Sequence, residues 1–380
     1  MKIALFTDTF FPQVNGVSNT IQRMMEYFRK ENIEYRIFTP KYDDEAAPET
    51  VEQYYSMKFF LYPDCRFTFP NFFRINKTFE DFKPDLVHNM TEFSMGLAGL
   101  HHAQKFSIPS VSTYTTNFAT YLKYYNLEPL ESLAEDYLAW FHNQNMMTFC
   151  ATAGTEKQVN AMGVPQTARF SRGIDTKLFS PSKRSDDFRR AHGLDGKIVF
   201  SYVGRISAEK GLDLLIDAYS KLYERHGEKA ALVMTGDGPY LEECKKRLPQ
   251  DTVYTGFLKE EDLAASYASS DIFVCPSSTE TFGNVVLEAM ASGLAVLGAD
   301  AGGVGENIRY GETGLTFESG NSEELYSAML TLLEDREMRD ALAAGGRNYA
   351  LTRTWDSIFS ELLEHYRLAT TKYTALKLSA

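Results

Sequence analysis

The chain has 380 residues and a mass of 43.1 kDa, more than one hydrophobic core usually organises, so its length predicts two domains. Its 44% hydrophobic and 24% charged residues are ordinary for globular proteins, which excludes a mainly disordered, collagen-like or coiled-coil chain. A formal net charge of -12 provides no general basic field for a polyphosphate backbone, so we expect no nucleic-acid partner.

The four cysteines are widely spaced and form no metal-ligand pattern with the seven histidines. We therefore expect reduced thiols, no metal site and a cytoplasmic location. The sequence contains no apolar run of about 18 residues, the length that a membrane span needs, and its N-terminus lacks a signal-peptide pattern. These features predict a protein that is soluble or attached to a membrane surface.

Short apolar runs and amphipathic stretches alternate along the first half of the chain. An amphipathic helix is predicted over residues 17–30, and a further apolar segment covers residues 94–106. The runs predicted as strands are, in order, KIALFT, YRIFTP, DLVH, PSVSTY and MTFCAT. Strands that alternate with helices require right-handed crossovers, so this half predicts a parallel sheet covered on both faces.

The polar, turn-rich stretch of residues 172–196 predicts a connection between domains, and the strand and helix rhythm restarts after it. The predicted strands are KIVFSYVG, AALVMTG, DTVYTG, DIFVCPS and GLAVLGAD, and the segment EKGLDLLIDAYSKLYERHG is a predicted helix that ends at a glycine. A last helix is predicted over residues 354–371. The fold class is therefore predicted to be α/β, with two parallel-sheet domains.

Ligands of open parallel sheets bind beyond the carboxyl ends of the strands, where loops lead into helices. The loop after the first strand, TDTFFPQVNGVSNT, places Gly16 at a predicted helix start. A residue without a side chain at this position lets an anion approach the backbone N–H groups of the helix. The alternative is a glycine that serves only the turn.

The segment RISAEKGLD places two cations, Arg205 and Lys210, beside a turn and a helix start, with Ser207 available as N-cap. A guanidinium fork and an ammonium group at this position can grip a diphosphate together with the helix dipole. The alternative is a pair of solvated surface charges.

The segment SSTETFGNVVLEAMASG carries Glu280 in a loop and Glu288 inside the helix that opens near Gly283. An ionised carboxylate accepts hydrogen bonds from vicinal hydroxyls, so these residues indicate a sugar or a ribose. An acidic residue that complements the helix dipole is the alternative for Glu280, but Glu288 lies too far into the helix. The next loop carries Gly302 and Gly303 before a further helix start.

Several motifs together resemble the C-terminal half of a family 4 retaining glycosyltransferase of GT-B fold. They are, in order, VGRISAEKGLDLLIDA, MTGDGP, TGFL and PSSTETFGNVVLEAMASGLAVLGADAGGVGENIRYGETGLTF. The segments TDTFFPQVNGVSNTIQR and SRGIDTKLFSP are similar to those of the subgroup that contains lipid-directed mannosyl-, glucosyl- and sulfoquinovosyltransferases. The resemblance covers essentially the whole chain.

The resemblance implies two Rossmann-like domains that face each other across a cleft. Residues 1–175 would form the acceptor-binding domain and residues 176–355 the nucleotide-sugar-binding domain. The C-terminal helix, residues 356–380, would pack back onto the first domain.

The resemblance further implies a nucleotide diphosphate sugar as donor, of the GDP-mannose or UDP-glucose type. Glu280, Arg205 and Lys210 would be catalytic: the two cations would bind the diphosphate, and Glu280 would face the sugar. Glu288 would bind the ribose hydroxyls, and Gly16 would let the first domain close over the diphosphate. The other implied donor-binding residues are Gly256, Phe257 and Leu258 at the base and Phe282, Gly283, Asn284 and Val285 near the sugar.

Relatives in this subgroup commonly have Tyr-His-Thr after the fourth strand, whereas this chain has Thr115 in the place of the histidine. Threonine can donate a hydrogen bond, but it is neither a cation nor a general base near neutral pH. The residues implied to lie near the acceptor or the sugar are Asp8, Asn15, Tyr114, Thr115 and Arg172.

The family's mechanism needs no divalent ion and no cofactor, because cationic side chains and helix ends stabilise the leaving diphosphate. The resemblance also implies that the sugar is transferred with retention of its anomeric configuration, and that the leaving diphosphate can itself take the proton of the acceptor hydroxyl. The resemblance therefore implies a metal-independent hexosyltransferase.

Residues 54–83 contain eleven aromatic residues and five cations against three carboxylates, which makes this segment net +2 within an acidic chain. Aromatic and basic side chains together fit contact with a membrane interface. We therefore expect a lipid acceptor, such as diacylglycerol or a glycolipid, taken from an anionic membrane surface on the inner face of the cell membrane. The alternative is that many of these aromatic residues belong to the core.

Two other classes of protein remain compatible with the sequence. A sugar-nucleotide epimerase shares the two-domain architecture but would turn over a nucleotide sugar without an acceptor. A nucleotide-sugar-binding protein with impaired catalysis would explain Thr115. Assays of transfer, epimerisation and binding separate the three.

Overall fold

The computed structural model describes residues 1–13, 16–42, 47–59, 62–115, 131–280 and 282–379. The chain divides into two compact units. Unit 1 comprises Met1–Ser171 and Ile358–Ala380, and unit 2 comprises Arg172–Ser357. The second segment of unit 1 brings the end of the chain back to the N-terminal half.

The strands lie within the described residues in the following order. They are β1 Lys2–Phe6, β2 Glu34–Pro40, β3 Val51–Tyr54, β4 Ser56–Phe59, β5 Tyr62–Thr68, β6 Leu86–Asn89, β7 Ser110–Tyr114, β8 Thr148–Cys150, β9 Thr167–Arg169, β10 Ile198–Val203, β11 Ala230–Thr235, β12 Val253–Gly256, β13 Ile272–Cys275, β14 Ala295–Ala299 and β15 Leu315–Phe317.

The α-helices follow the strands with the alternation expected of crossover connections. They are α1 Gly16–Lys30, α2 Phe72–Phe82, α3 Ser94–Phe106, α4 Glu131–Asn143, α5 Ala153–Ala161, α6 Asp186–Ala191, α7 Leu212–His226, α8 Leu241–Arg247, α9 Glu260–Ala268, α10 Asn284–Ala291, α11 Gly302–Asn307, α12 Ser322–Glu334, α13 Arg336–Thr352 and α14 Trp355–Ser379.

Unit 1 is built on a seven-stranded parallel sheet with the order β3-β2-β1-β6-β7-β8-β9, beside a separate β4-β5 hairpin. Phe6 and Phe38 stack with ring centroids 4.3 Å apart on neighbouring strands. Helix α14 is anchored to this sheet by its Tyr366 hydroxyl, which lies 2.6 Å from His88 Nδ1 on β6. Burial lowers the pKa of His88 to about 3, so this histidine is a neutral packing residue.

Unit 2 is built on a six-stranded parallel sheet with the order β12-β11-β10-β13-β14-β15. All six residues of β11 and all five of β14 are buried, as expected for central strands covered by helices on both faces. Helix α7 ends against Gly227, which agrees with the predicted stop at a glycine.

The predicted domain connection at residues 172–196 is part of unit 2 and contains helix α6. Ser185 caps this helix through a hydrogen bond from Phe188 N. Arg189 is buried and donates to the carbonyl oxygens of Ser269, Leu194 and Lys197 at 2.7 to 2.8 Å. The polar groups of the segment therefore hydrogen-bond to other residues of unit 2. The segment begins at the boundary between the two units, and its role as a connection stays a prediction.

Each sheet has one place where the strand order reverses direction along the chain. In unit 1 it lies between β1 and β6, and in unit 2 between β10 and β13. The loops that leave neighbouring strands on opposite sides of such a point form a crevice at the carboxyl edge of the sheet. The candidate site residues of each unit are therefore expected in the loops after these four strands.

Candidate active site

The loop after β10 carries Arg205 and Lys210 at the edge of unit 2. It contains a short 3-10 helix, Ala208–Lys210, and Gly211 follows with a φ of 70° before α7 begins. The predicted helix therefore starts later than expected, because Gly211 interrupts it. Ser207 stands at the N-cap of the 3-10 helix, but its hydroxyl donates to the Glu209 carboxylate at 2.6 Å and makes no capping hydrogen bond.

The structure brings together Lys210 and Glu280, which are 70 residues apart in sequence. Lys210 Nζ donates to Glu280 Oε1 at 2.6 Å, and both side chains keep part of their surface exposed. Arg205 is exposed on the same loop as Lys210. An ammonium group whose partner is a carboxylate, on a loop that also carries an exposed guanidinium, forms a site where an anion can replace the carboxylate as partner.

The loop that carries Glu280 is held by the start of α11. Gly303 N donates to Glu280 O at 2.8 Å, and Asn307 Nδ2 donates to Phe282 O and to Gly303 O. Gly283 has a φ of 74° at the N-cap of α10, which opens with Asn284 and Val285. Sequence reasoning missed Asn307, because no motif or spacing in the sequence indicates that its side-chain amide contacts this loop.

Arg172 lies beside the same loop. Its guanidinium carbon is 5.8 Å from the centre of the Phe282 ring, an arrangement that permits a cation–π contact. Burial lowers the pKa of Arg172, and the nearby Glu280 carboxylate opposes that shift. Arg172 and Lys210 therefore both lie near the Glu280 carboxylate within unit 2.

Glu288 projects from the second turn of α10 towards α9. Tyr267 Oη donates to Glu288 Oε2 at 2.9 Å. Although the residue keeps some exposed surface, burial of its carboxyl group raises the pKa to about 7, and the tyrosine hydrogen bond opposes the rise. Sequence reasoning missed Tyr267, because its pairing with Glu288 depends on how two helices pack.

The residues assigned to the nucleotide base lie at the end of β12. Gly256 has a φ of 69°, and the following Phe257 side chain is 71% exposed. Lys259 Nζ lies 5.4 Å from the centre of its ring. An exposed aromatic face next to Leu258 offers a surface on which a base can stack.

Asp8 follows β1 in unit 1, and its carboxylate accepts hydrogen bonds from other groups of the protein. The hydroxyls of Thr91 and Ser94 and the backbone N–H of Met95 donate to it at 2.7 to 2.8 Å. Burial raises its pKa against these three hydrogen bonds. Asp8 therefore caps the N-terminus of α3 from the neighbouring strand, a role that sequence spacing could not show.

Thr115 follows β7 at the same edge and contacts a carboxylate that sequence reasoning missed. The Thr115 backbone N–H donates to Glu92 Oε1 at 3.1 Å, and the Thr115 hydroxyl donates to Glu92 Oε2 at 3.3 Å. Glu92 is fully buried, and His142 Nε2 lies 3.6 Å from its Oε1. Neither Glu92 nor His142 stands in a recognisable motif.

Three further predicted residues of unit 1 have different outcomes. Gly16 is the first residue of α1, where its placement was predicted. Tyr114 is buried, and burial raises the pKa of its hydroxyl. Asn15 lies outside the described residues. The binding roles assigned to all the site residues stay predictions.

Among the described residues, no group of three or more His, Cys, Asp or Glu side chains is arranged to hold a metal ion. No helix in this part of the chain is long and apolar enough to cross a membrane. Cys150, Cys244 and Cys275 are buried free thiols.

Comparison with known proteins identifies the family. The model for glycosyltransferase family 4 matches residues 14–178, and the model for glycosyl transferases group 1 matches residues 184–349. A GDP-mannose-dependent alpha-mannosyltransferase from Mycobacterium tuberculosis is 33% identical over 96% of this chain and 96% of the relative. The chain belongs to the family 4 glycosyltransferases.

Two further comparisons characterise this glycosyltransferase. The sulfoquinovosyl transferase SQD2 of Arabidopsis thaliana is 32% identical over 93% of this chain and 71% of the relative. The Anabaena protein Alr3699/HepE, solved in complex with UDP, has a TM-score of 0.76 with 20% identity, covering 97% of this chain and 100% of that one. The predicted family and the predicted GT-B fold, with two parallel-sheet units, are confirmed.

Nucleotide affinity is expected to rise with pH between about 6 and 8 if Glu288 binds the ribose. The hydroxyls donate to the ionised carboxylate, whose pKa is about 7, so below that pH binding must first release a proton. Each pH unit below the pKa then costs up to about tenfold in affinity. Calorimetric Kd values for the nucleoside diphosphate, measured with wild type and Glu288→Gln, test this.

The ratio of the Kd values of wild type and Glu288→Gln is the quantity to compare, because the effect of phosphate ionisation on affinity is the same for both proteins and cancels. The wild-type advantage over Glu288→Gln should shrink towards pH 6. Tyr267→Phe removes a hydrogen bond that lowers the Glu288 pKa and should move the transition to higher pH. A ratio that stays constant over this range rules out a ribose contact by the Glu288 carboxylate.

Proposed function

We propose that this glycosyltransferase moves a hexose from a nucleotide diphosphate sugar of the GDP-mannose or UDP-glucose type to a hydroxyl group of a lipid, such as diacylglycerol or a glycolipid. The observation that carries the proposal is the ion pair of Glu280 with Lys210, whose loop also carries the exposed Arg205. The two cations suit a diphosphate, and the carboxylate suits the hydroxyls of a sugar. The names of the mannosyl- and sulfoquinovosyltransferase relatives support this pairing of donor and acceptor.

The nucleotide sugar binds unit 2 by replacing Glu280 as the partner of Lys210. When the diphosphate binds Lys210, Glu280 loses its ammonium partner and becomes free to accept hydrogen bonds from the sugar. Charge that builds on the leaving diphosphate is then met by Lys210 and Arg205, which are already in place. We propose that the sugar is transferred with retention of configuration, because a diphosphate held on the same face as the acceptor can take the acceptor's proton as the bond breaks.

Transfer is expected to survive excess chelator, because side-chain cations rather than a bound metal ion stabilise the leaving group. The assay measures sugar transfer from GDP-mannose and from UDP-glucose to vesicles that contain diacylglycerol, with and without chelator. Activity that disappears in chelator and returns with added magnesium or manganese contradicts metal independence. If neither donor yields transfer or hydrolysis, the proposed function itself is wrong.

The acceptor is proposed to come from an anionic membrane surface on the cytoplasmic side of the cell membrane. The β4-β5 hairpin, the residues that flank it and α2 expose five aromatic side chains, which we call the aromatic patch: Tyr55, Phe67, Phe69, Phe72 and Phe73. Phe73 is 87% exposed, and Lys77 and Lys83 lie exposed on or beside the same helix. Exposed aromatic and basic groups together favour an interfacial lipid contact over core packing for these residues.

The alternative of core packing holds for another part of the same segment. Tyr54, Ile75 and Phe79 are buried, and Phe79 packs against Phe38 of the sheet. Residues 60 and 61 lie outside the described residues. The aromatic residues of this segment whose burial the structure describes are therefore divided between the core and the aromatic patch.

Wild-type protein is expected to sediment with anionic vesicles at low salt, and more weakly as salt screens the lysines. The change Phe72→Ser/Phe73→Ser should lower vesicle affinity by roughly tenfold or more, because two apolar side chains no longer enter the interface. Tyr310→Ser, at a 70% exposed aromatic residue of unit 2, is the matched control and should bind as wild type does. Wild type that stays in the supernatant would argue for a soluble acceptor.

The relatives also bear on the two other classes considered above. The mannosyltransferase and sulfoquinovosyltransferase relatives are both named as transferases, which favours transfer over epimerisation. The hypothesis of a nucleotide-sugar-binding protein with impaired catalysis depends on Thr115 alone. Thr115 donates two hydrogen bonds to Glu92, and these contacts suggest a different role for it.

A further inference from the structure

Thr115 is partly exposed at the carboxyl edge of the unit 1 sheet, and it covers Glu92, which is fully buried. Both hydrogen-bond donors of Thr115 point inwards. Its backbone N–H donates to Glu92 Oε1, and its hydroxyl donates to Glu92 Oε2. A hydroxyl has one proton to donate and two lone pairs that accept. The Thr115 oxygen therefore presents acceptor capacity outwards.

Glu92 is enclosed by further polar groups of unit 1. Its backbone carbonyl accepts a hydrogen bond from the Tyr137 hydroxyl, and His142 lies 3.6 Å behind its Oε1. His142 is buried, and its other ring nitrogen lies 2.9 Å from Ser112 Oγ. A carboxylate enclosed in this way keeps its hydrogen-bond donors, because a buried charge that loses them is strongly disfavoured.

The direction of the Thr115 hydrogen bond decides which ligand group suits it. A histidine in this place has a ring N–H to donate, so it suits an acceptor oxygen. Thr115 backed by Glu92 has the opposite polarity and suits a donor. Alcohol hydroxyls are the most numerous hydrogen-bond donors of the proposed substrates.

We propose that Thr115 is a specificity-determining residue for the transfer reaction that accepts a hydrogen bond from a substrate hydroxyl, and that Glu92 is the positioning residue that fixes the direction of this bond. The proposal rests on the proposed function, because it takes this edge of unit 1 to meet substrate. The hydroxyl belongs either to the transferred sugar or to the acceptor.

Three variants test the proposal. Thr115→Val keeps the shape and the backbone N–H but removes the hydroxyl, and it should lower kcat/KM for transfer by about tenfold, the value of one hydrogen bond at a desolvated site. Thr115→Ser keeps the hydroxyl and should stay within about threefold of wild type, since only a methyl group is lost. Thermal unfolding of each variant checks that the fold is intact.

Glu92→Gln reverses the polarity, because its amide nitrogen donates to the Thr115 oxygen and turns the hydroxyl proton outwards. It should lower kcat/KM as Thr115→Val does, and it should have little further effect in the Thr115→Val background. A residue with a merely structural role would lower activity equally in both backgrounds. Equal losses in both backgrounds would therefore overturn the positioning role of Glu92.

Hydrolysis of the nucleotide sugar in water, without acceptor, distinguishes the two sources of the hydroxyl. A loss in both transfer and hydrolysis assigns it to the transferred sugar, and a donor lacking that hydroxyl should then not distinguish Thr115→Val from wild type. A loss in transfer alone assigns it to the acceptor. Thr115→Val that matches wild type in both reactions overturns the proposal, whereas wild type inactive in both reactions overturns the proposed function instead.

Discussion

Replacing Lys210 by alanine is expected to lower kcat/KM for transfer by about 10²- to 10³-fold, the cost of losing one preorganised donor to developing charge. Arg205→Ala should lower it by a similar factor. Lys210 has the larger expected effect of the two, because its removal also leaves the Glu280 carboxylate without its partner at 2.6 Å. That free negative charge would repel the diphosphate as well.

The control for this prediction is the double variant Lys210→Ala/Glu280→Gln. If repulsion by Glu280 contributes, nucleotide affinity should recover in the double variant while turnover stays low. Glu280→Gln alone should lower turnover more than nucleotide affinity, because a contact to the reacting sugar strengthens as charge develops. Near-normal kcat/KM in either cation variant, with an unchanged thermal midpoint, would show that the residue does not serve the diphosphate.

The change Gly303→Ala is expected to remove most activity, although Gly303 has no side chain to touch substrate. A Cβ atom at this position would lie 2.5 to 2.6 Å from the backbone of Phe282, so the loop that carries Glu280 must shift. The shift also strains the hydrogen bond from Gly303 N to Glu280 O. Misplacing a reacting group by about 1 Å costs on the order of 10²-fold in rate.

The matched control is Gly320→Ala, at a glycine with nothing within 4 Å of the added Cβ. Its φ of 90° makes alanine costly for stability, but it should leave kcat/KM near that of wild type. Kinetics at a temperature where both variants are folded separate the two effects. Activity of Gly303→Ala equal to that of the control would mean that the Glu280 loop tolerates displacement.

The periodicity of the sequence predicted the strands and helices that form the two sheets. The runs KIALFT and KIVFSYVG became β1 and β10, and the apolar segment at residues 94–106 became α3. These predictions succeed because a central parallel strand is buried on both faces and must be apolar throughout. The packing of residues 172–196 was not predictable from the sequence, since the hydrogen bonds of the buried Arg189 depend on tertiary contacts.

The candidate site was predictable where a motif gives both residue type and position. Arg205, Lys210, Glu280 and Glu288 stand in such motifs, and the structure places the first three in the loops after β10 and β13. Tyr267 and Asn307 were missed, because each contacts the site from another helix. Their hydrogen bonds depend on packing distances that no spacing along one segment encodes.

The sequence by itself determined the fold class, the family and the residue types that we propose to face a diphosphate and a sugar, because these follow from local apolar periodicity and from motifs within single segments. Only the tertiary structure decided that Lys210 pairs with Glu280, and that Glu92 turns the Thr115 hydroxyl inwards. Both contacts join residues on different strand-ending loops. Their charges and hydrogen-bond directions exist only once the parallel strands bring those loops to one edge.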